Sequence, residues 1–233
     1  MNTFDRSRAI FYALDFDRCL GDVEALSAFF NQIVVAMELV SSDAFSSARR
    51  SVERSGGSFD VVQFLRDEIG DVATQQVIEQ FFRAPTNESF LLPGAAELLA
   101  FLTQANLPHG IVTFGGERWQ HAKLRRCGLE GVPTMVLDTP QKAKMIRSWY
   151  DDSLQCFVLP ADFAKLRSNE VVLIDDKAMA FDGIDEQSRM RGYFVQSNRP
   201  LLLSQEGSVP PSVLIVQSLH EIVNYEQKYI DIK

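Results

Sequence analysis

Phe11-Tyr12-Ala13-Leu14-Asp15-Phe16-Asp17-Arg18-Cys19-Leu20 begins as a short apolar run with an aromatic pair and ends in two carboxylates one residue apart. The apolar part suits a buried strand. Residues two apart in a strand point the same way, so Asp15 and Asp17 face one site if the chain stays extended; if it turns after Asp15, the second carboxylate swings over the first. Either way two like charges are held close, which costs free energy unless a cation or a shared proton compensates. Taken alone, Asp-x-Asp is more often a pair of strand-end and loop carboxylates in water.

Company further along the chain favours a site. Val112-Thr113 closes a second apolar run, Lys142 opens a helical pattern, and Val171-Val172-Leu173-Ile174-Asp175-Asp176 repeats the theme of a buried strand ending in paired acids. Ligands of an open α/β sheet collect at the carboxyl ends of its strands, and Asp15, Thr113 and Asp175 would all lie on that edge.

The order Asp-x-Asp, Thr after a strand, Lys, and Asp-Asp after a strand resembles the haloacid dehalogenase-like (HAD) hydrolase superfamily, most of whose members are magnesium-dependent phosphatases. The resemblance spans about residues 9 to 196, with a gap between Asp22 and Phe90, and extends to the texture of Leu92 to Leu99 and of Arg118 to Leu124. It implies an α/β fold, a Rossmann-like, mostly parallel sheet flanked by helices. It also implies an aspartyl-phosphate on Asp15, with Asp17 as general acid and base. Dehalogenase members lack this second Asp, so its presence favours phosphoryl chemistry.

Magnesium is the implied cofactor. Asp15 and Asp176 would supply side-chain ligands, Asp17 its carbonyl, and Asp175 a ligand through water or an orienting contact. Thr113, with backbone N–H groups of Phe114 and Gly115, would hold the phosphoryl oxygens, and Lys142 would offset the charge on nucleophile and phosphate. Lys144 is the alternative lysine. The family commonly has Gly at the position of Arg18 and Thr at that of Cys19, and often a further acid at that of Ala180. Arg18 is left either to bind substrate or to bridge to the neighbouring segment.

That segment is the expected insert. Val23, Leu26, Phe30, Ile33, Val34 and Met37 follow helical spacing behind a capping Asp22; another helical stretch opens at Ser41-Ser42-Asp43 and breaks at Gly56-Gly57-Ser58. Phe59 to Ile69 and Val72 to Phe82 read as two more helices. Residues 22–90 are thus expected to form a helical cap, with residues 1–21 and 91–233 as the α/β core. From Pro93 the pattern predicts helix 95–104, strand 109–113, helix 118–127, strand 134–137, helix 141–150, an irregular piece 151–168, strand 171–174, helix 178–190 and strand 193–196. A loop around Gly207 and Pro210-Pro211, strand 213–216 and a helix near Leu219 complete the chain.

With 233 residues, 46% of them apolar, the chain can build a sizeable core with a smaller insert. A formal net charge of -8 and a pI near 5.0, without a long basic tract, argue against a nucleic-acid partner. Arg49-Arg50 with Arg54, and Arg125-Arg126, read as solvated helix faces. Cys19, Cys127 and Cys156 show neither disulfide nor zinc spacing, and Cys19 reads as a small apolar filler. His109, His121 and His220 lack metal-ligand spacing. No signal-peptide pattern or membrane-spanning run is present, so a cytoplasmic location is expected. The expected activity is hydrolysis of a small phosphorylated metabolite. A phosphotransferase or mutase, or a non-catalytic member binding a phosphorylated ligand or a protein, is the alternative.

Overall fold

The computed structural model describes residues 10–38, 40–54, 59–86, 88–185, 187–196 and 209–231. The expected break at Gly56-Gly57-Ser58 and the Gly207 part of the late loop lie outside these residues. The opening apolar run forms β1 (Ile10–Leu14), buried along both faces as a central parallel strand must be. Its side chains alternate. Phe11 and Ala13 join one apolar cluster with Val112, Val171 and Leu173, while Tyr12 and Leu14 join another with Ile111, Val172 and Ile174.

Three helices follow: α1 (Val23–Ala36), α2 (Ser42–Arg54) and α3 (Val61–Arg83), the last kinked at Gly70, where the backbone leaves helical geometry. The two predicted helices thus adjoin without a loop. Asp22 and Asp60 cap α1 and α3, accepting hydrogen bonds from Ala25 N and from Val62 N and Gln63 N. Then come α4 (Ala95–Gln104), β2 (His109–Phe114), α5 (Glu117–Arg126), β3 (Thr134–Leu137) and α6 (Lys142–Arg147). The chain continues through β4 (Tyr150–Asp151), β5 (Cys156–Val158), β6 (Arg167–Ser168), β7 (Glu170–Asp175), β8 (Met190–Val195), β9 (Val213–Val216) and α7 (Leu219–Asp231).

The main sheet has the order β3-β2-β1-β7-β8-β9 with every pairing parallel. The chain moves outward from β1 through β2 to β3, then crosses to the other side of β1 as β7. That reversal makes the carboxyl ends of β1 and β7 a topological switch point.

Four sequence expectations are corrected. The helix expected over 141–150 stops at Arg147, because Ser148 and Trp149 close turns on Met145 and Ile146 and the Ser148 hydroxyl bonds the Met145 carbonyl. The irregular piece 151–168 carries a small antiparallel sheet, β4-β5-β6, whose strands are too short to show a period. The helix expected over 178–190 shrinks to a 3-10 turn, Ala178–Phe181: Gly183 takes a φ of 103° and Asp185 closes a turn with Ser188. The strand expected at 193–196 begins earlier, at Met190.

The helices of residues 22–90 leave and rejoin the core through two adjacent segments. Asp22 N donates to Phe90 O and Leu92 N to Leu20 O, both at 2.8 Å, and Gly21 bridges Leu91. They also pack on α5, where Trp119 stacks edge-on against Phe30 at 4.8 Å. Arg126 donates to the carbonyls of Phe82 (2.9 Å) and Ala84 (2.7 Å) at the end of α3. Arg126 is therefore a partly buried docking residue rather than part of a solvated face.

Candidate active site

Asp15 follows β1 directly, and its N–H donates to Ile174 O at 2.9 Å, which extends the pairing with β7 by one residue. The chain then turns. Phe16 O accepts N–H groups from Leu20 (3.0 Å) and Gly21 (2.8 Å), and Arg18 adopts a φ of 64°. This is the left-handed region that glycine enters at least cost, which gives a physical reason for the family's usual Gly at this position. The Arg18 side chain bridges to Glu24 in the first turn of α1 at 2.6 Å.

Asp15 (2% exposed), Asp175 (0%) and Asp176 (8%) bring carboxylate oxygens within 4.8 Å of one another. Lys142, at the start of α6, is buried and pairs with Asp15 and, at 2.6 Å, with Asp175. Lys144 is exposed and lies 3.9 Å from Asp182, so Lys142 is the lysine that reaches the carboxylates. Asp175 also accepts from the backbone N–H of Lys177 at 2.8 Å. The Asp176 Oδ1 is buried with no hydrogen-bond partner among the described residues.

The electrostatics follow from crowding. Burial, with Asp175 nearby, raises the Asp15 carboxyl to about 6 against the opposing charge of Lys142. Burial and the repulsion of Asp15 and Asp175 raise Asp176 to about 8. Lys142 moves upward despite burial, because it faces two carboxylates. A set of buried oxygen donors that repel one another, one of them orphaned, fits a hard divalent cation such as magnesium.

Asp17 does not join this cluster. Its Oδ1 pairs with Lys123 and its Oδ2 accepts from Gln120 Nε2 at 2.9 Å. Although burial opposes it, the Lys123 charge with the hydrogen bonds from Lys123 and Gln120 holds the Asp17 carboxyl below its usual value. Thr113, near the end of β2, is fully buried with its hydroxyl unpartnered among the described residues. Phe114 O accepts from Gln120 Nε2 at 2.9 Å, and the N–H of Gly115 donates to Leu137 O at 3.3 Å. The Gly115 amide thus has a partner at the end of β3.

Three further residues adjoin the site unanticipated by the sequence reading. Gln120 and Lys123 lie on the buried stripe of α5, one turn apart. Two polar residues interrupting an apolar stripe are a readable sign of an inward-facing polar site. Lys177 lends positive charge to Asp15 and Asp176, and its place directly after Asp-Asp is the only hint in the sequence. Gly116 lies beneath the Asp60 carboxylate, whose oxygen would stand 2.1 Å from an added Cβ. The loop after β2 and the N-terminus of α3 therefore touch.

No family model matches the sequence, and no curated protein matches it. Solved structures do. A protein described as a haloacid dehalogenase-like hydrolase from Burkholderia xenovorans LB400 superposes with a TM-score of 0.66 at 18% identity, over 96% of this chain and 99% of that one. A HAD-hydrolase of Bacillus subtilis, crystallised bound to magnesium, gives 0.55 at 17% identity over 94% and 98%. CbbY of Rhodobacter sphaeroides, in complex with xylulose-(1,5)bisphosphate, gives 0.51 at 17% identity over 92% and 95%. With its mostly parallel six-stranded sheet flanked by helices, this chain has the fold of the HAD hydrolase superfamily.

Proposed function

We propose that the protein is a magnesium-dependent phosphomonoester hydrolase that forms an aspartyl-phosphate on Asp15 from a small phosphorylated metabolite. The observation that carries this reading is the convergence of Asp15, Asp175 and Asp176 at the carboxyl ends of two neighbouring strands, with Lys142 bridging two of them. Magnesium, held by Asp15, Asp176 and the Asp17 carbonyl, would neutralise phosphoryl charge and hold the phosphate facing Asp15. In the first step an Asp15 oxygen bonds to phosphorus, the bond to the leaving oxygen breaks, and Asp17, in the protonated form that its contacts with Lys123 and Gln120 disfavour, gives that oxygen a proton. In the second, water bonds to phosphorus, the Asp15–phosphorus linkage breaks, and Asp17 takes the water proton. Lys142 offsets charge on Asp15, and the unpartnered Thr113 hydroxyl donates to a phosphoryl oxygen.

Residues 22–90 are read as a cap. The paired neck at residues 20–22 and 90–92 and the Asp60–Gly116 contact support this reading. Such a cap would keep bulk water from the phosphoenzyme and restrict substrates to small molecules. A panel of phosphate esters, assayed with and without magnesium and with sugar phosphates as acceptors, tests the function. Phosphate release that requires magnesium supports it. Release that survives chelation overturns the metal's role, and transfer to the acceptor in place of release turns the reading to a phosphotransferase.

A further inference from the structure

We propose that Gln120 and Lys123, on consecutive turns of α5, are positioning residues that fix the Asp17 carboxylate as the base that takes the proton from water in the dephosphorylation step. The inference rests on the phosphoryl-transfer reading above. Both carboxylate oxygens are engaged: Oδ1 by Lys123, and Oδ2 by Gln120 Nε2. The same Gln120 Nε2 donates to Phe114 O at 2.9 Å, on the loop that follows Thr113. One amide thus ties the Asp17 loop to the β2 loop.

The amide orientation follows from its partners. With acceptors at both contacts, the group facing them must be NH2, and a flipped amide would set oxygen against two oxygens. Gln120 Oε1 is left buried with no partner among the described residues. An unpaired buried acceptor costs about 1–3 kcal/mol. A residue under that penalty is poor structural filler, and its retained contacts are those to Asp17 and Phe114.

Lys123 is equally constrained. Its side chain is 1% exposed, and its Nζ lies 5.5 Å from the ring centre of Phe16 and 5.7 Å from that of Trp119. Phe16 precedes Asp17, and Trp119 packs on Phe30 of α1. The ammonium is therefore wedged between the Asp17 loop and the α1–α5 contact. A buried charge of this kind needs its partner, and Asp17 is the carboxylate it meets. Together the two side chains hold a residue that the turn after Asp15 alone leaves on a short loop.

The test is Gln120→Leu, which keeps size and the Lys123 charge while removing the amide. The first readout is the pre-steady-state time course on an aryl phosphate, which separates formation of the phosphoenzyme from its hydrolysis. Misplacing the base should slow hydrolysis of the phosphoenzyme about 10²-fold and leave the burst of phenolate that precedes it intact. Equal loss in the burst and in the steady-state rate would mean a structural role only and overturn the proposal.

The second readout is a crystal structure of Gln120→Leu, paired with one of Lys123→Met. The Asp17 side chain should leave its rotamer or become disordered in each. Asp17 unmoved in both structures would overturn the proposal. This readout needs no turnover. A wild-type protein inactive on every ester, whose Asp17 nevertheless depends on Gln120 and Lys123, would overturn the phosphatase reading while leaving the positioning role supported.

Discussion

Asp15 and Asp17 stand one residue apart yet occupy different environments, and this separation follows from the turn that starts at Phe16. Asp15 stays paired to β7 beside Asp175, whereas Asp17 is drawn to α5 by Lys123 and Gln120. Their substitutions should therefore differ. Asp15→Asn is expected to abolish turnover, whereas Asp17→Asn should still form phosphoenzyme from an aryl phosphate and release it slowly, so that phenolate appears as a burst with magnesium saturating. A burst from Asp15→Asn, or none from Asp17→Asn, would reverse these roles. Arg18 offers a stability test at the same scale. Both Arg18→Gly and Arg18→Ala lose the exposed pair with Glu24, but only glycine accepts a φ of 64° without strain. In urea denaturation Arg18→Gly should be the more stable by about 1 kcal/mol; equal stabilities would mean the turn carries no such strain.

Among the elements, strands β1, β2, β3, β7 and β9 were legible because each is a short apolar run bounded by turn signals, and the catalytic candidates sit at their ends. The small sheet β4-β5-β6 was not, since a strand of two or three residues carries no periodicity. Nor was the end of the 178–190 segment, where Gly183 and the Asp185–Ser188 turn outweigh an otherwise helical composition. The polar contacts between distant elements were invisible for another reason: they pair residues far apart in sequence. Lys123 with Asp17 is one case. Another is Glu226 of α7, fully buried, which accepts from Tyr12 Oη and Tyr193 Oη at 2.6 Å and from Arg191 at 2.5 and 3.1 Å. This carboxylate ties the terminal helix to β1 and β8. Glu226→Ala leaves the buried Tyr12 hydroxyl without its acceptor and removes two contacts of Arg191, which keeps Glu170 and the Tyr193 hydroxyl, so it should cost about 2–3 kcal/mol in denaturant unfolding. A loss below about 1 kcal/mol would show that α7 is held by its apolar face alone.

For the whole molecule, the acidic cluster makes stability depend on pH and metal together. Asp15 and Asp176 have folded-state values raised to about 6 and about 8, above the ordinary 3.8. The folded state therefore binds more protons than the unfolded chain, and their contribution to stability falls as pH rises from near 4 through 8. Magnesium competes with those protons, so its stabilisation should grow over the same range. Melting scans at pH 6 and pH 8, with and without millimolar magnesium, should show the larger rise in Tm at pH 8; an equal or smaller rise there would contradict the cluster as the metal's site. No described helix is long and apolar enough to cross a membrane. The order of the parallel sheet, the packing of α1 and α3 on α5, and the three clustered acids at the strand ends support the proposed chemistry on Asp15. The most direct measurement is acid-quenched mass spectrometry of the protein after mixing with an aryl phosphate and magnesium. One added phosphoryl group on the peptide carrying Asp15, absent from Asp15→Asn, is the expected result. Hydrolysis that proceeds with no phosphoryl group on that peptide, or with one on another residue, would contradict it.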